Sequence, residues 1–229
     1  DAPNFAQVAP VCEGEIFTLP TTSLNAVSGT WSPAINNLAT TTYTFTPDPT
    51  ECASSTFDMT VVIKTVETKK ELATFAKFGN RFYKGHKCYV PSMPSDDMVT
   101  FDRNKNAAFE FCEAEYFLAY KNNEVVGRVA AIVNHKANKA WNVEQVRFGW
   151  FDFIDDLEVS KALLDAVISF GKSKGMKQRA GPLGFTDFDP EGMLVDGFDR
   201  MCTMALFYNH PYYPEHMKKH GYFKETGWI

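Results

Sequence analysis

No lysine or arginine occurs in the first 63 residues of this chain of 229; all 23 lie after Ile63. That early stretch has no histidine either. Its six acids (Asp1, Glu13, Glu15, Asp48, Glu51 and Asp58) are scattered, which excludes a clustered acid–base or metal chemistry there. The net charge is −6 up to Ile63 and +1 beyond it. A break that abrupt points to two domains, 1–63 and 64–229, with the boundary near Ile63–Glu67. Neither part is basic enough to mark a nucleic-acid footprint. No apolar run is long enough to cross a bilayer as a helix, and no charged-then-apolar leader precedes Asp1. The chain is therefore expected to be soluble as given, with any export signal removed or never included. Cysteine is scarce, with five in all. Cys88, Cys112 and Cys202 lack a short repeated spacing, which favours ordinary buried thiols over a metal cluster.

The first part is rich in Thr, Ser, Pro and Asn, with β-prone runs between turn signals at Glu15–Leu19, Gly29–Trp31, Thr41–Thr46 and Ser55–Ile63. In the last run Phe57, Met59 and Val61 alternate with Asp58, Thr60 and Val62, as in a half-buried strand. An all-β sandwich is the simplest reading. A domain this small buries a modest core. A Cys12–Cys52 disulfide would add about 4 kcal/mol through chain entropy; two separate reduced thiols are the alternative.

The second part mixes periods. Thr68–Phe78 is helical in pattern, with Thr68 a cap and Glu71 three residues on. Phe82–Asp102 reads as irregular. Glu115–Tyr120 and Val125–Asn134 read as strands joined by a hairpin at Lys121–Glu124. Arg147–Ile154 is aromatic and nearly continuously apolar, as in a strand covered on both faces. Val159, Leu163, Ala166, Val167 and Phe170 then trace one face of a helix, with Asp155, Asp156 and Glu158 at its start and Gly175 at its end. A strand at Met176–Ala180, a loop from Gly181 to Gly197 and a short helix before Gly221 complete the pattern.

The residues carry two resemblances. Cys12-Glu13-Gly14, Leu19-Pro20, Gly29-Thr30-Trp31-Ser32-Pro33, Thr42-Tyr43-Thr44-Phe45-Thr46-Pro47 and Cys52 resemble the Ig-like repeats of large surface and secreted Bacteroidetes proteins. That implies a spacer or adhesion module, and export. The second part resembles a Bacteroidetes family of GNAT-like N-acetyltransferases. The likeness lies in Phe117–Tyr120, Glu124–Ile132, Phe148–Asp152, Gly181–Asp187 and Tyr208–Tyr213. It implies a mixed α/β sheet flanked by helices, with an acyl group passing from acetyl-CoA or another acyl-CoA to a small-molecule amine. It also implies a cytoplasmic setting, and members that continue past the position of Ile229, leaving a final strand near Tyr222–Ile229 without a neighbour.

By that resemblance the cofactor contacts fall at Phe153, Ile154, Asp155, Val159, Ser160 and Asn209. The family's pyrophosphate loop, Q/R-x-x-G-x-G/A, is replaced by Phe153–Glu158, which has no glycine and three carboxylates. Those carboxylates are expected to cap the helix N–H groups themselves and to repel phosphate. The family's acid is a Tyr four residues before the glycine of the last strand; here that position is Met217, which has no proton to give. Tyr213 is the substitute, with Tyr208 and Tyr212 as further options, and Glu144 or Asp152 could serve as base. His216 and His220, four apart, form a possible metal pair without an evident third ligand. Asp187, Asp189 and Glu191 echo the start of a calcium loop, but Pro190 interrupts and Phe198 stands in twelfth place. Lys172, Lys174, Lys177 and Arg179 could meet a phosphate or form a solvated face. Besides transfer, two readings stand open: a GNAT-like fold that binds a ligand or partner without catalysis, and a surface spacer.

Overall fold

The structure, a computed structural model, describes residues 2–5, 18–32, 34, 43–49, 57–59, 61–121, 124–203 and 206–227. In the first part β1 (Gly29–Ser32), β2 (Tyr43–Pro47) and β3 (Phe57–Met59) form an antiparallel sheet in that order. Phe5, Leu19, Val27, Tyr43 and Phe45 make its core, with the Phe5 and Phe45 rings edge-on at 4.5 Å. No second sheet facing it, as a sandwich needs, is among the described residues. Cys12 and Cys52 lie outside them, so the expected disulfide falls outside the described residues.

The expected single strand over Ser55–Ile63 is divided. Phe57–Met59 pairs with β2, whereas β4 (Val62–Thr65) crosses to the second sheet and pairs with β5 (Cys112–Lys121), Val62 opposite Tyr120. The backbone changes partners between the two halves, so one continuous strand cannot satisfy both ladders.

The second sheet has five strands in the order β4–β5–β6–β7–β8, with β6 at Glu124–Asn134, β7 at Gln145–Phe153 and β8 at Gln178–Ala180. All pairs are antiparallel except β7 with β8, so the sheet is mixed. The hairpin is present, with Lys121 opposite Glu124. Helix α1 (Lys69–Phe82) begins at the expected capping box: Thr68 accepts from the Glu71 N–H and Glu71 accepts from the Thr68 N–H. Two short helices add to the expected pattern: α2 (Pro94–Thr100) lies in the segment read as irregular, and α3 (His135–Trp141) follows β6 in a stretch to which the pattern assigns no element. Helix α4 (Leu157–Ser173) follows β7, and α5 (Tyr212–Lys219) stands near the end.

Alternation along β6 divides the core into two layers. Val129, Ala131 and Val133 meet Val159, Leu163 and Val167 of α4, while Ala130 and Ile132 meet Phe75 and Ala76 of α1. Leu163 and its two neighbours on that stripe are fully buried, a gain of about 1.5–3 kcal/mol for each such side chain.

Strand β7 keeps the α4 face with Val146 and Phe148, then slips phase and continues with Phe151 and Phe153. The slip is a bulge. Ala130 pairs with Gly149 but Arg128 pairs with Asp152, so β7 carries one extra residue, and Trp150 absorbs it at φ 44°. Among the described residues the expected strand near Tyr222–Ile229 is not formed: residues 222–227 have no regular structure, and the Tyr222 N–H donates to the Met217 carbonyl of α5 rather than to a sheet. Tyr222 instead sets its ring against Phe148 and beneath Arg179.

Candidate functional site

The bulge turns the last residues of β7 toward α1, α5 and the segment 181–211. Asp152 points to the α1 side and meets Arg128, its register partner on β6. Arg128 Nε and Nη2 each lie 2.8 Å from Asp152 Oδ2, with side-chain exposures of 6% and 11%. The remaining Arg128 nitrogen donates to the carbonyls of Phe75 and Ala76 in α1 at 2.7 and 3.1 Å. Gly79 makes the room for this, since a Cβ there would stand 2.7 Å from the guanidinium. A buried pair survives when its spare donors and acceptors are met, and here the backbone of α1 does much of that.

The other oxygen, Asp152 Oδ1, accepts from the Tyr83 hydroxyl at 3.1 Å. Tyr83 and Tyr213 share a hydrogen bond of 2.9 Å, and the Phe153 N–H donates to the Tyr213 oxygen at 2.9 Å. With Tyr83 giving its proton to Asp152, Tyr213 gives its own to Tyr83, and the chain runs Phe153 N–H, Tyr213, Tyr83, Asp152. Burial and the nearby Asp152 charge hold both phenols well above the ordinary tyrosine value. The proposed acid and one proposed base are thus in one network. Glu144 is not; it precedes β7 at the far end and pairs with Lys177 at 2.6 Å.

A narrow cleft opens beside this network, lined by Trp150–Asp152 on one side and Pro182, Gly192, Met193 and Phe207 on the other. It holds about 10 Å³, roughly one water. Gly149 lets the opposing loop approach, because a Cβ there would lie 2.5 Å from the Leu183 carbonyl oxygen. Asn209 lines the cleft, but its amide clamps the backbone of Leu194, accepting at 2.7 Å and donating at 3.1 Å.

The histidines were the least legible part of the site. Of five in the chain, four have ring nitrogens already engaged. His86 meets Tyr208, His135 meets Glu113, and His216 and His220 both meet Ser160. Neither ring nitrogen of His210 has a hydrogen-bond partner among the described residues. Its ring lies in an aromatic frame, stacked on Tyr212 at 5.4 Å and tilted to Tyr83 at 5.0 Å. Burial lowers its pKa below the ordinary histidine value and His86 adds to this, with Asp152 and Asp155 opposing. A ring so placed is neutral near pH 7 and can accept a proton. The only sequence signal for it was its place in the Tyr208–Tyr213 motif.

The turn before α4 is filled by its own side chains. Asp156 Oδ1 accepts from the N–H groups of Glu158 and Val159 at 2.9 and 3.4 Å, and Oδ2 receives Lys121 Nζ at 2.5 Å. Burial pushes the Asp156 carboxyl up, but Lys121 and the two N–H groups together outweigh it and leave it below its ordinary value. Ser160, fully buried, touches His216 Nδ1 at 2.9 Å and His220 Nε2 at 2.8 Å, and His216 Nε2 reaches Asp155 at 3.0 Å. The supposed metal pair is a hydrogen-bonded staple between α4 and α5. Val159 is core. These residues do not fit a pyrophosphate, because a carboxylate already occupies the helix N–H groups. Elsewhere, Asp189 caps Thr186 N–H at 2.8 Å, and Lys174 is paired with Glu113 at 2.6 Å.

No family model matches the chain. It is similar to Protein YghO of Escherichia coli (strain K12), 26% identical over 168 residues, covering 71% of this chain and 42% of that protein. It is also similar to the bacterial ceramide synthase of Caulobacter vibrioides, 23% identical over 172 residues, covering 75% of this chain and 44% of that protein. The chain therefore spans less than half the length of these curated relatives. Among solved structures it is similar to a predicted acetyltransferase with acetyl-CoA from Clostridium acetobutylicum. That pair shows a TM-score of 0.46 and 10% identity, covering 74% of this chain and 94% of that one.

Proposed function

We propose that this chain transfers an acyl group from a thioester to the nitrogen of an amine, at the bulged end of β7. The observation that carries the reading is His210: an imidazole with unengaged nitrogens that follows the cleft-lining Tyr208 and Asn209 and packs on Tyr83 of the Asp152 network. An amine is protonated near pH 7 and cannot attack until it loses a proton. His210 accepts that proton and releases it to solvent; the amine nitrogen then bonds to the thioester carbonyl carbon. His210 takes the second proton from the nitrogen of the tetrahedral centre, the C–S bond breaks as that centre collapses, and the imidazolium gives this proton to the departing thiolate. One group serves both steps, so no separate acid is required.

Tyr213 suits that second role poorly. Each unit by which its pKa exceeds the thiol's adds about 1.4 kcal/mol to the proton transfer, and its pKa is raised. Tyr213, Tyr83 and Asp152 act instead as positioning residues that fix the end of β7 and the aromatic frame of His210. Glu144 is too far along β7 to join them.

For the acceptor we favour a long-chain amine. A ceramide is the amide of a fatty acid with a long-chain amino alcohol, and one relative is a bacterial ceramide synthase. The segment 181–211 beside the cleft also exposes Phe188, Val195, Met201 and Leu206, by 101%, 53%, 71% and 55%, which suits an apolar substrate. The N-terminal sheet contributes no residue to the cleft and fits an accessory role. The test is incubation of the protein with a long-chain acyl thioester and a panel of amines (a long-chain amino alcohol, a polyamine, an amino sugar), with amides read by mass spectrometry. The amino-alcohol amide is expected. Binding of thioester without any amide would favour the non-catalytic reading.

A further inference from the structure

Two arginines are buried in the second sheet, and their guanidinium groups are met very differently. Arg128 is 5% exposed; its Nε and Nη2 both meet Asp152, and its Nη1 serves two carbonyls of α1. Arg147, near the start of β7, is 2% exposed. It points to the face opposite Val146 and Phe148, away from α4. Among the described residues its guanidinium makes one hydrogen bond, from Nη1 to the Gly184 carbonyl at 3.3 Å, and no ion pair. Nε is buried without a partner. The ring of Trp141, in α3, lies 5.6 Å from the guanidinium carbon.

A charge buried without a counter-charge destabilises a fold more than almost any other group, and arginine cannot escape by losing its proton. The nearest groups do not balance it. Asp189 turns its Oδ2 to Thr186, accepting from the N–H at 2.8 Å and the hydroxyl at 3.3 Å. The Cys112 thiol is near enough to feel Arg147, but burial pushes its pKa up to about 11, so it is neutral near pH 7. Lys136, also felt at Cys112, is a second cation and sits over the Phe111 ring at 4.2 Å.

Nε and Nη2 project side by side from a guanidinium, as a fork that fits two oxygens of one anion. In Arg128 that edge holds Asp152; in Arg147 it is unengaged. One buried positive charge is balanced by a single negative charge, which a carboxylate supplies and a phosphate dianion exceeds. Trp141, 58% exposed, offers an apolar surface beside the fork.

We propose that Arg147 anchors a second binding site, which takes the carboxylate of a small organic acid on Nε and Nη2 with its hydrocarbon end against Trp141. The site does not depend on the acyl-transfer reading.

The test is thermal unfolding of the whole chain at fixed ionic strength in chloride, acetate, butyrate or phosphate, for wild type, Arg147→Met and Arg147→Lys. In the wild type, butyrate at about a hundred times its Kd should raise Tm over chloride by about 5–11 °C, with acetate acting at higher concentration. Arg147→Met removes the charge and should show no rise with either acid. Arg147→Lys keeps the charge and loses the fork; its butyrate midpoint should be weaker by about tenfold or more, and it decides the matter if Arg147→Met does not fold. No rise with either acid in the wild type, an equal rise in Arg147→Met, or an unchanged midpoint in Arg147→Lys overturns the proposal. A rise with phosphate alone overturns it too, because the ligand is then not a carboxylate.

Discussion

Replacing Asp152 by Asn should be one of the costliest single changes in the second domain. Its carboxylate receives two guanidinium nitrogens of Arg128 at 2.8 Å in a place where both side chains are about nine-tenths buried. Arg128 cannot lose its proton, so the variant leaves a buried cation facing a neutral amide, whose oxygen can still accept but carries no charge to balance it. Breaking one side of such a pair costs about 3–5 kcal/mol. For a protein of this size each kcal/mol moves Tm by about 2–4 °C, so a fall of about 6–20 °C is expected by calorimetry or circular dichroism. The double variant Arg128→Met/Asp152→Leu removes the stranded charge as well and should recover much of the loss. Tyr83→Phe, which removes one hydrogen bond to the same carboxylate, should cost only about 1 kcal/mol. A fall below about 2 °C for Asp152→Asn would refute the reasoning, because it would mean that the pair is hydrated rather than buried.

The remaining predictions concern the turn, the staple and the proposed base. Asp156 has a folded pKa below its ordinary value, so it contributes stability that is complete above about pH 4 and fades as pH falls through the folded value. Asp156→Ala should cost about 1 kcal/mol at neutral pH, as loss of a cap does, and should flatten the acid limb of a denaturation curve. Ser160→Ala severs the link from α4 to His216 and His220 and should cost about 1–3 kcal/mol, read as a lower urea midpoint with unchanged m. His210→Gln should lower the rate of amide formation by about 10²–10⁴-fold while Tm falls by only about 2–4 °C, because its ring loses contacts with Tyr83 and Tyr212 but no hydrogen bond. The wild-type pH–rate profile should have its acid limb below the ordinary histidine value of about 6.5, in line with the lowered pKa of His210.

The local grammar of the second domain was readable from the residues. The Thr68–Glu71 box, the apolar run of β7, the stripe on α4 and the capping role of Asp156 all depend on neighbours within a few positions. Short elements escaped. Helix α3 starts directly at the end of a buried strand, and its signals were only a capping Asn134 and the left-handed Asn142. Helix α2 is announced by Pro94 with Asp96 and Asp97 behind it, but seven residues give little periodicity.

The network escaped for a different reason. Tyr83, Arg128, Asp152 and Tyr213 lie up to 130 positions apart, and only the fold brings them together. One clue was present: Arg128 and Asp152 are opposite charges inside the apolar runs 125–133 and 148–153, and buried charges need each other. The bulge at Trp150, which decides where the cleft opens, left no mark in the alternation until the phase of β7 was known.

The central claim, acyl transfer at the end of β7, is tested most directly by the yield of amide from wild type and His210→Gln under one set of conditions. Amide from a long-chain acyl thioester and a long-chain amino alcohol, reduced about a hundredfold or more in a variant that stays folded, is the predicted result. Equal yields from both proteins, or none from either, would contradict it.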